Sequence, residues 1–230
     1  MALKAGDRHY RAYVGPPERY DLISGITFTL LTGLLGLREH HRLLDIGCGS
    51  LRNGRLLIPY LAPANYFGVE PERWLVDEGI AHECGQDQIA IKKPTFLYAN
   101  DWSFDTLGVT FDYILAQSIF SHASARDIRR CLTNCASCMH EQSLMAATLM
   151  PGDRDYDGEE WVYPGVVRYT DKTIAAMADA AGLVAIRSRY FHPKLTWYLF
   201  ALPQRAQQLA RTADAIDRCA DDMFGFRVVV

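Results

Sequence analysis

Short continuous apolar runs alternate with helical patterns from residue 42 onward. The runs are RLLDIG (42–47), YFGVEP (66–71), TFLYAN (95–100), FDYILAQS (111–118), SLMAATLM (143–150), LVAIRSRYF (183–191) and TWYLFALP (196–203). Continuity of this kind suits strands buried on both faces of a parallel sheet. Helical periodicity fits 52–62, 72–84, 124–140 and 171–181, with Gly182 after the last as a C-cap. The alternation predicts an α/β fold with a doubly wound, seven-stranded, mostly parallel sheet. Only a few residues, HPK (192–194) among them, separate the last two runs. A crossover helix does not fit there, so a C-terminal antiparallel strand hairpin is expected.

Residues 22–37, LISGITFTLLTGLLGL, form the longest apolar stretch. Gly25, Gly33 and Gly36 interrupt it and it is too short to span a bilayer comfortably, so it reads as a buried helix beside the first strand. The expected organisation is an N-terminal lid segment and packing helix at 1–40 and a core at 41–203. Residues 151–170 form a polar and aromatic insertion in that core, and 204–230 a C-terminal helix and tail. A hydrophobic share of 49% supports a full core. The net charge of -3 gives no reason to expect a nucleic-acid or membrane partner. The start, MALKAGDRHY, lacks a basic-then-apolar signal pattern, so a cytoplasmic protein is expected. Six cysteines in such a chain do not predict a disulfide framework.

The stretch HRLLDIGCGSLRNGRLLIPYL (41–61) carries glycines between the first strand and a helix. A phosphate-binding P-loop needs Lys and then Ser or Thr after its last glycine, whereas Arg55 and Leu56 follow Gly54. A dinucleotide loop needs its third glycine where Arg52 stands. LLDIGCGS instead resembles the first motif of class I S-adenosylmethionine-dependent methyltransferases, an acidic residue and then Gly-x-Gly at a strand end. A sulfonium cofactor without phosphate tolerates a nearby carboxylate, and Gly47 and Gly49 let the turn approach it.

The resemblance covers roughly residues 42–203 and implies the class I methyltransferase fold with S-adenosylmethionine as cofactor. It implies cofactor-binding roles for Asp45, Gly47, Cys48 and Gly49 in the loop. Glu70, followed by Pro71, would bind the ribose hydroxyls. Asp101 and Trp102 would meet the adenine, and Gln117, at the end of the fourth strand, would also bind the cofactor. Many members carry a third glycine at the position of Leu51; this chain places Gly54 later and Arg52 at the helix start.

CLTNCASC (131–138) has the Cys-x3-Cys-x2-Cys spacing of radical S-adenosylmethionine enzymes. It lies in a helical pattern that puts Ile128, Cys131, Leu132, Cys135, Cys138 and Met139 on one face. Core packing is therefore expected, and no metal.

The expected reaction is in-line methyl transfer to a small-molecule acceptor, a hydroxyl or an amine, at the C-terminal ends of the strands. His122, after the fourth strand, is the candidate base, with a buried hydrogen-bonded role as its alternative. Candidate substrate contacts are His9 and Tyr10 in the N-terminal segment and Trp161, Tyr163 and Tyr169 in the insertion, with Asp153, Glu159 and Glu160 as possible polar contacts. His192 is expected in the hairpin turn. Competing readings are a protein or RNA methyltransferase, a non-catalytic S-adenosylmethionine-binding module and, disfavoured by Arg52, an NAD-dependent oxidoreductase. A monomer or homodimer is expected.

Overall fold

The computed structural model describes residues 2–224, so the end of the expected C-terminal tail lies outside the described residues. Seven strands form one sheet in the order β3-β2-β1-β4-β5-β7-β6. They are β1 (Leu43–Ile46), β2 (Tyr66–Val69), β3 (Thr95–Leu97), β4 (Phe111–Ala116), β5 (Met139–Leu149), β6 (Val184–Ser188) and β7 (Thr196–Ala201). Strands β1 to β5 pair in parallel, and β7 runs antiparallel between β5 and β6. The doubly wound sheet and its terminal hairpin are as expected from the sequence, and β7 lies inside the sheet with β6 at its edge.

The strands supply two cores by the alternation of side chains across a pleated sheet. Leu43, Tyr113, Leu115, Leu144, Ala146 and Leu199 face one layer. It holds α1 (Tyr20–Phe28), α2 (Gly54–Tyr60), α3 (Arg73–Gly79) and α7 (Ala206–Phe224), through Ile23, Leu57, Val76 and Leu209. Leu44, Ile46, Ile114, Ala116, Met145 and Phe200 face the other. There α5 (Ala125–Ser137) and α6 (Asp171–Ala180) contribute Ile128, Cys131, Leu132, Cys135, Ile174 and Met177. The cysteine-rich face thus packs as apolar core, and Cys138 Sγ donates to the Cys135 carbonyl at 3.2 Å. No helix among the described residues is long and apolar enough to cross a membrane.

Local chemistry sets the helix boundaries. Ser124 caps α5 by accepting from the Asp127 amide at 3.1 Å, and Thr170 caps α6 by accepting from the Thr173 amide at 3.2 Å. Helix α6 ends in a Schellman motif: Leu183 N–H bonds Ala178 O, Gly182 N–H bonds Asp179 O, and Gly182 takes a φ of +73°. The expected buried stretch forms α1 and continues through a π-helical turn, Thr29–Leu34.

Four boundaries depart from the sequence expectation. Strand β5 begins at Met139, inside the expected 124–140 helix. A register shift there is held by Ser143 Oγ, which accepts from His140 N–H at 2.8 Å and donates to Phe111 O at 2.6 Å. Helix α3 gives way to a π-helical turn, Ile80–Cys84. Helix α4 (Gln86–Lys92) buries no residue, so it left no apolar period to read. Helix α2 starts at Gly54 because Leu51 has left-handed backbone, φ +59°.

Leu51 occupies the place where the resembling family often has glycine, and its side chain is fully buried. Left-handed backbone costs a leucine about 1–2 kcal/mol, whereas deleting a buried leucine side chain costs about 2–5 kcal/mol. Leu51→Gly is therefore expected to lower the unfolding free energy by about 2 kcal/mol, measured by urea denaturation. Unchanged or raised stability would show that backbone strain outweighs the packing.

Candidate active site

A cavity of about 580 Å³ opens at the C-terminal ends of β1, β2 and β4. Its floor is the turn after β1. Gly47 and Gly49 have φ of +67° and +53°, conformations that glycine adopts without a Cβ penalty. Neighbouring side chains already fill the space a Cβ would take: Ile119 Cδ1 would lie 2.0 Å from one at Gly47, and Val14 Cγ1 2.6 Å from one at Gly49. The close approach that the glycines permit thus includes the protein's own loop and N-terminal segment.

Glu70 stands at the end of β2, 7% exposed and lining the cavity. One carboxylate oxygen accepts from the Gly49 amide at 3.0 Å and the other from the Glu72 amide at 3.0 Å. Burial raises its pKa, and the two amide hydrogen bonds oppose the rise. Each oxygen retains a lone pair, so the group can still accept hydrogen bonds from a diol.

The N-terminal segment closes one wall. Tyr13, Val14, Gly15, Pro16 and Arg19 line the cavity. The strap is held by Arg11, which pairs with Glu83 at 2.7 Å, and by Tyr163 Oη, which donates to Ala12 O at 3.4 Å. Beneath it lies Arg52, 7% exposed. Its Nη1 donates to Val14 O at 2.8 Å, its Nη2 donates to Gln117 Oε1, and its buried Nε has no partner. Burial pulls its pKa down to about 10, so the guanidinium stays charged at neutral pH.

The insertion forms the opposite wall by docking on the loop after β4. Val162 N–H bonds His122 O at 3.0 Å and Val167 N–H bonds Ser121 O at 2.8 Å. His122 Nδ1 lies 2.6 Å from Gly165 O. Only a protonated Nδ1 can make that bond, which leaves Nε2 of the neutral ring as an acceptor. The ring also meets Tyr163 edge-on, with centroids 4.9 Å apart. His192, in the β6–β7 connection, has the opposite tautomer: its Nδ1 accepts from the amides of Leu195 at 2.8 Å and Lys194 at 3.2 Å, so Nε2 carries the proton. Burial lowers the pKa of His122 to about 4 and of His192 to about 3. The positive charge of Lys194 adds to the first shift, and those of Arg52 and Arg19 to the second.

Gly47, Gly49, Glu70, Pro71, Trp102, Gln117, His122, Trp161 and Tyr163 line this one cavity. Other expected site residues stand elsewhere. Asp45 is 1% exposed beneath the loop and accepts from Tyr66 Oη at 2.7 Å. Cys48 is buried with its side chain against Gly68. Asp101 is exposed and accepts from the Ser103 amide at 3.1 Å; Ala99 and Asn100 line the cavity in its stead. Tyr10 stacks on His9 and His82, which anchors the outside of the strap. Tyr169 is buried and donates to Ala123 O at 3.0 Å. Glu159 pairs with Arg126 at 2.9 Å. Sequence reasoning missed Arg19, Arg52, His192 and Lys194 as lining residues. Topology offered a signal for the last two, because a loop after a parallel strand reaches the same end of the sheet.

Two pH responses follow. Burial pushes Asp45 up to about 7, above its unfolded value, so its contribution to stability is present below about pH 4 and lost as pH rises through about 7. Asp45→Asn, which keeps the Tyr66 hydrogen bond, should therefore gain stability over the parent at pH 8 and not at pH 4, by chemical denaturation. An equal difference at both pH values would disprove the raised pKa. The histidines run the other way: depressed folded pKa values give stability that is present above about pH 6.5 and lost as pH falls toward 4. NMR titration should find the rings of His122 and His192 neutral at pH 5.5, and protonation of either near pH 6.5 would refute their burial.

Residues 44–145 match a family model described as a methyltransferase domain. No curated protein sequence matches the chain. Solved structures share its fold at low sequence identity. Magnesium protoporphyrin IX methyltransferase from Synechocystis PCC 6803, with bound S-adenosylhomocysteine, is 13% identical, with a TM-score of 0.56 over 80% of this chain and 83% of that one. The CcbJ methyltransferase from Streptomyces caelestis is 14% identical, with a TM-score of 0.58 over 82% and 91%. An O-methyltransferase family protein from Burkholderia thailandensis is 12% identical, with a TM-score of 0.60 over 84% and 58%. The match over residues 44–145, the solved structures and the strand order together place the chain on the class I S-adenosylmethionine-dependent methyltransferase fold.

Proposed function

We propose that the protein transfers a methyl group from S-adenosylmethionine to a small-molecule acceptor, at a hydroxyl oxygen or an amine. The observation that carries this is the single cavity in which Gly47, Glu70 and Gln117 meet His122, Trp161 and Tyr163. The first three fit a cofactor and the last three an acceptor. A strap and an insertion enclose the two together, which suits a small molecule better than a protein or RNA chain.

The residues fit the cofactor at several points. Glu70 offers acceptor lone pairs for a ribose diol. Ala99, Asn100 and Trp102 surround the space beside it, and we assign to Asn100 the adenine contact expected of Asp101. Arg52 lines the cavity with its hydrogen bonds made to neutral acceptors, a charge that the cofactor's carboxylate would offset. Asp45 and Cys48 shape the loop from beneath.

S-adenosylmethionine, when bound, supplies an electrophilic methyl whose C–S bond breaks, with the electron pair passing to sulfur, as the acceptor atom forms its new bond to carbon. The protein aligns the acceptor and excludes water. Neutral His122 presents Nε2 to an acceptor hydroxyl and takes its proton, while Gly165 O holds the ring through Nδ1. Tyr163 and Trp161 fix the ring plane.

Calorimetry should detect micromolar S-adenosylhomocysteine binding, weakened by Glu70→Ala at least about tenfold, or about 1.4 kcal/mol, with the fold retained by circular dichroism. A labelled-methyl screen against hydroxyl and amine metabolites should then find turnover, which His122→Gln slows. Unchanged affinity in Glu70→Ala would refute the cofactor assignment. Binding without turnover across the screen would favour the non-catalytic module.

A further inference from the structure

The cavity is also lined with positive charges that no carboxylate of the described residues pairs with. Arg19, Arg52, Lys194 and His192 all line it. Several arginines elsewhere pair with carboxylates, Arg11 with Glu83 and Asp21, Arg126 with Glu159, Arg187 with Asp171 and Arg189 with Asp217. Among the described residues Arg19, Arg52 and Lys194 have no such partner. The cavity's carboxylates are engaged away from them. Glu70 accepts from the Gly49 and Glu72 amides, Glu72 from Trp74 Nε1 at 3.0 Å, and Asp127 from Ser124 Oγ at 2.8 Å.

The donor geometry says the same. Gln117 must turn Oε1 to Arg52 Nη2; its Nε2 donates one N–H to Ser118 Oγ at 2.6 Å and leaves the other facing His192 Nε2 at 3.3 Å. His192 Nδ1 already accepts two backbone amides, so its Nε2 is also a donor. Two N–H groups therefore face each other beside a glutamine that also holds a buried guanidinium. Such donors cost free energy until an acceptor reaches them, and a buried charge costs more. The charges that act on the two cavity histidines beyond burial are all positive: Lys194 on His122, Arg52 and Arg19 on His192.

We propose that the methyl acceptor is an acid, whose carboxylate or comparable oxyanion is held by Arg19 and Lys194 beside the donors of His192 and Gln117. This rests on reading the cavity as a cofactor and acceptor site. Charge arithmetic separates the acceptor from the cofactor. S-adenosylmethionine brings one carboxylate against an ammonium and a sulfonium. It can neutralise one of the three cations, Arg52 being the most buried, and leaves two without a counter-charge. An acceptor anion beside Lys194 also offsets a charge that holds down the basicity of His122, and so favours proton uptake at Nε2.

The test uses 1-naphthoate and its neutral isostere 1-naphthamide, titrated by calorimetry at low salt into the full chain, with and without saturating S-adenosylhomocysteine. Naphthoate should bind at least about tenfold more tightly. The double variant Arg19→Gln/Lys194→Gln should erase that preference while leaving affinity for naphthamide and S-adenosylhomocysteine unchanged. A labelled-methyl screen should be enriched in acids over their amides. Equal affinities, absence of naphthoate binding, or a preference that survives in the double variant would overturn the proposal. So would loss of S-adenosylhomocysteine binding in that variant, which would assign these cations to the cofactor. Failure of the parent protein to bind S-adenosylhomocysteine strikes the cofactor reading instead, and the titrations without it then still decide whether the cavity selects an anion.

Discussion

The site depends on one buried, positively charged side chain without a counter-ion. Arg52 reaches from the turn after β1 to the N-terminal strap through Val14 O and to the end of β4 through Gln117. A guanidinium taken out of water needs its donors satisfied, and neutral acceptors compensate only in part. The strap, the glycine loop and Gln117 are thus positioned by a shared requirement to solvate one cation. The tight seating of Val14 over Gly49 belongs to the same arrangement. Electrostatics and steric fit therefore draw together segments far apart in sequence.

The resulting cavity has two chemically different ends. Toward β2 and β3, Glu70 with its two amide bonds and the Asn100–Trp102 turn make an environment of acceptors and flat apolar surface. Toward the β6–β7 connection, donors predominate. His122 sits between Gln117 and the insertion, with a fixed tautomer supplied by a backbone carbonyl rather than by a carboxylate. A neutral imidazole with a low pKa is a modest base, so its efficiency depends on the charges that surround it.

The strands were legible because burial on both faces demands unbroken apolar runs, and because β6 and β7 are too close in sequence for a crossover. Helix α4 was not, since a helix without buried residues carries no apolar period. The start of α2 was misplaced by Leu51, whose left-handed backbone is a tertiary effect that propensity does not reveal. At the site, the glycines and Glu70 were legible because strand ends fix their position. Asp45 and Cys48 took part in the motif, yet strand alternation turns Asp45 beneath the loop and Cys48 packs against Gly68. Arg19 and Val14 owe their place to a strap whose path depends on Arg11, Glu83 and Tyr163, which no local pattern encodes.

The placement of β7 between β5 and β6 bears on biosynthesis. The edge strand β6 hydrogen-bonds in the native sheet to β7 alone, and β7 follows it in the chain. While the polypeptide grows from the ribosome, β6 emerges before its partner exists, and β5 waits with one side unpaired. The sheet cannot close until residue 201 has cleared the exit tunnel, so the last part of the core is completed only after β5 and β6 have waited for β7. A nascent chain stalled before β7 would expose two apolar strand edges, a natural target for chaperones.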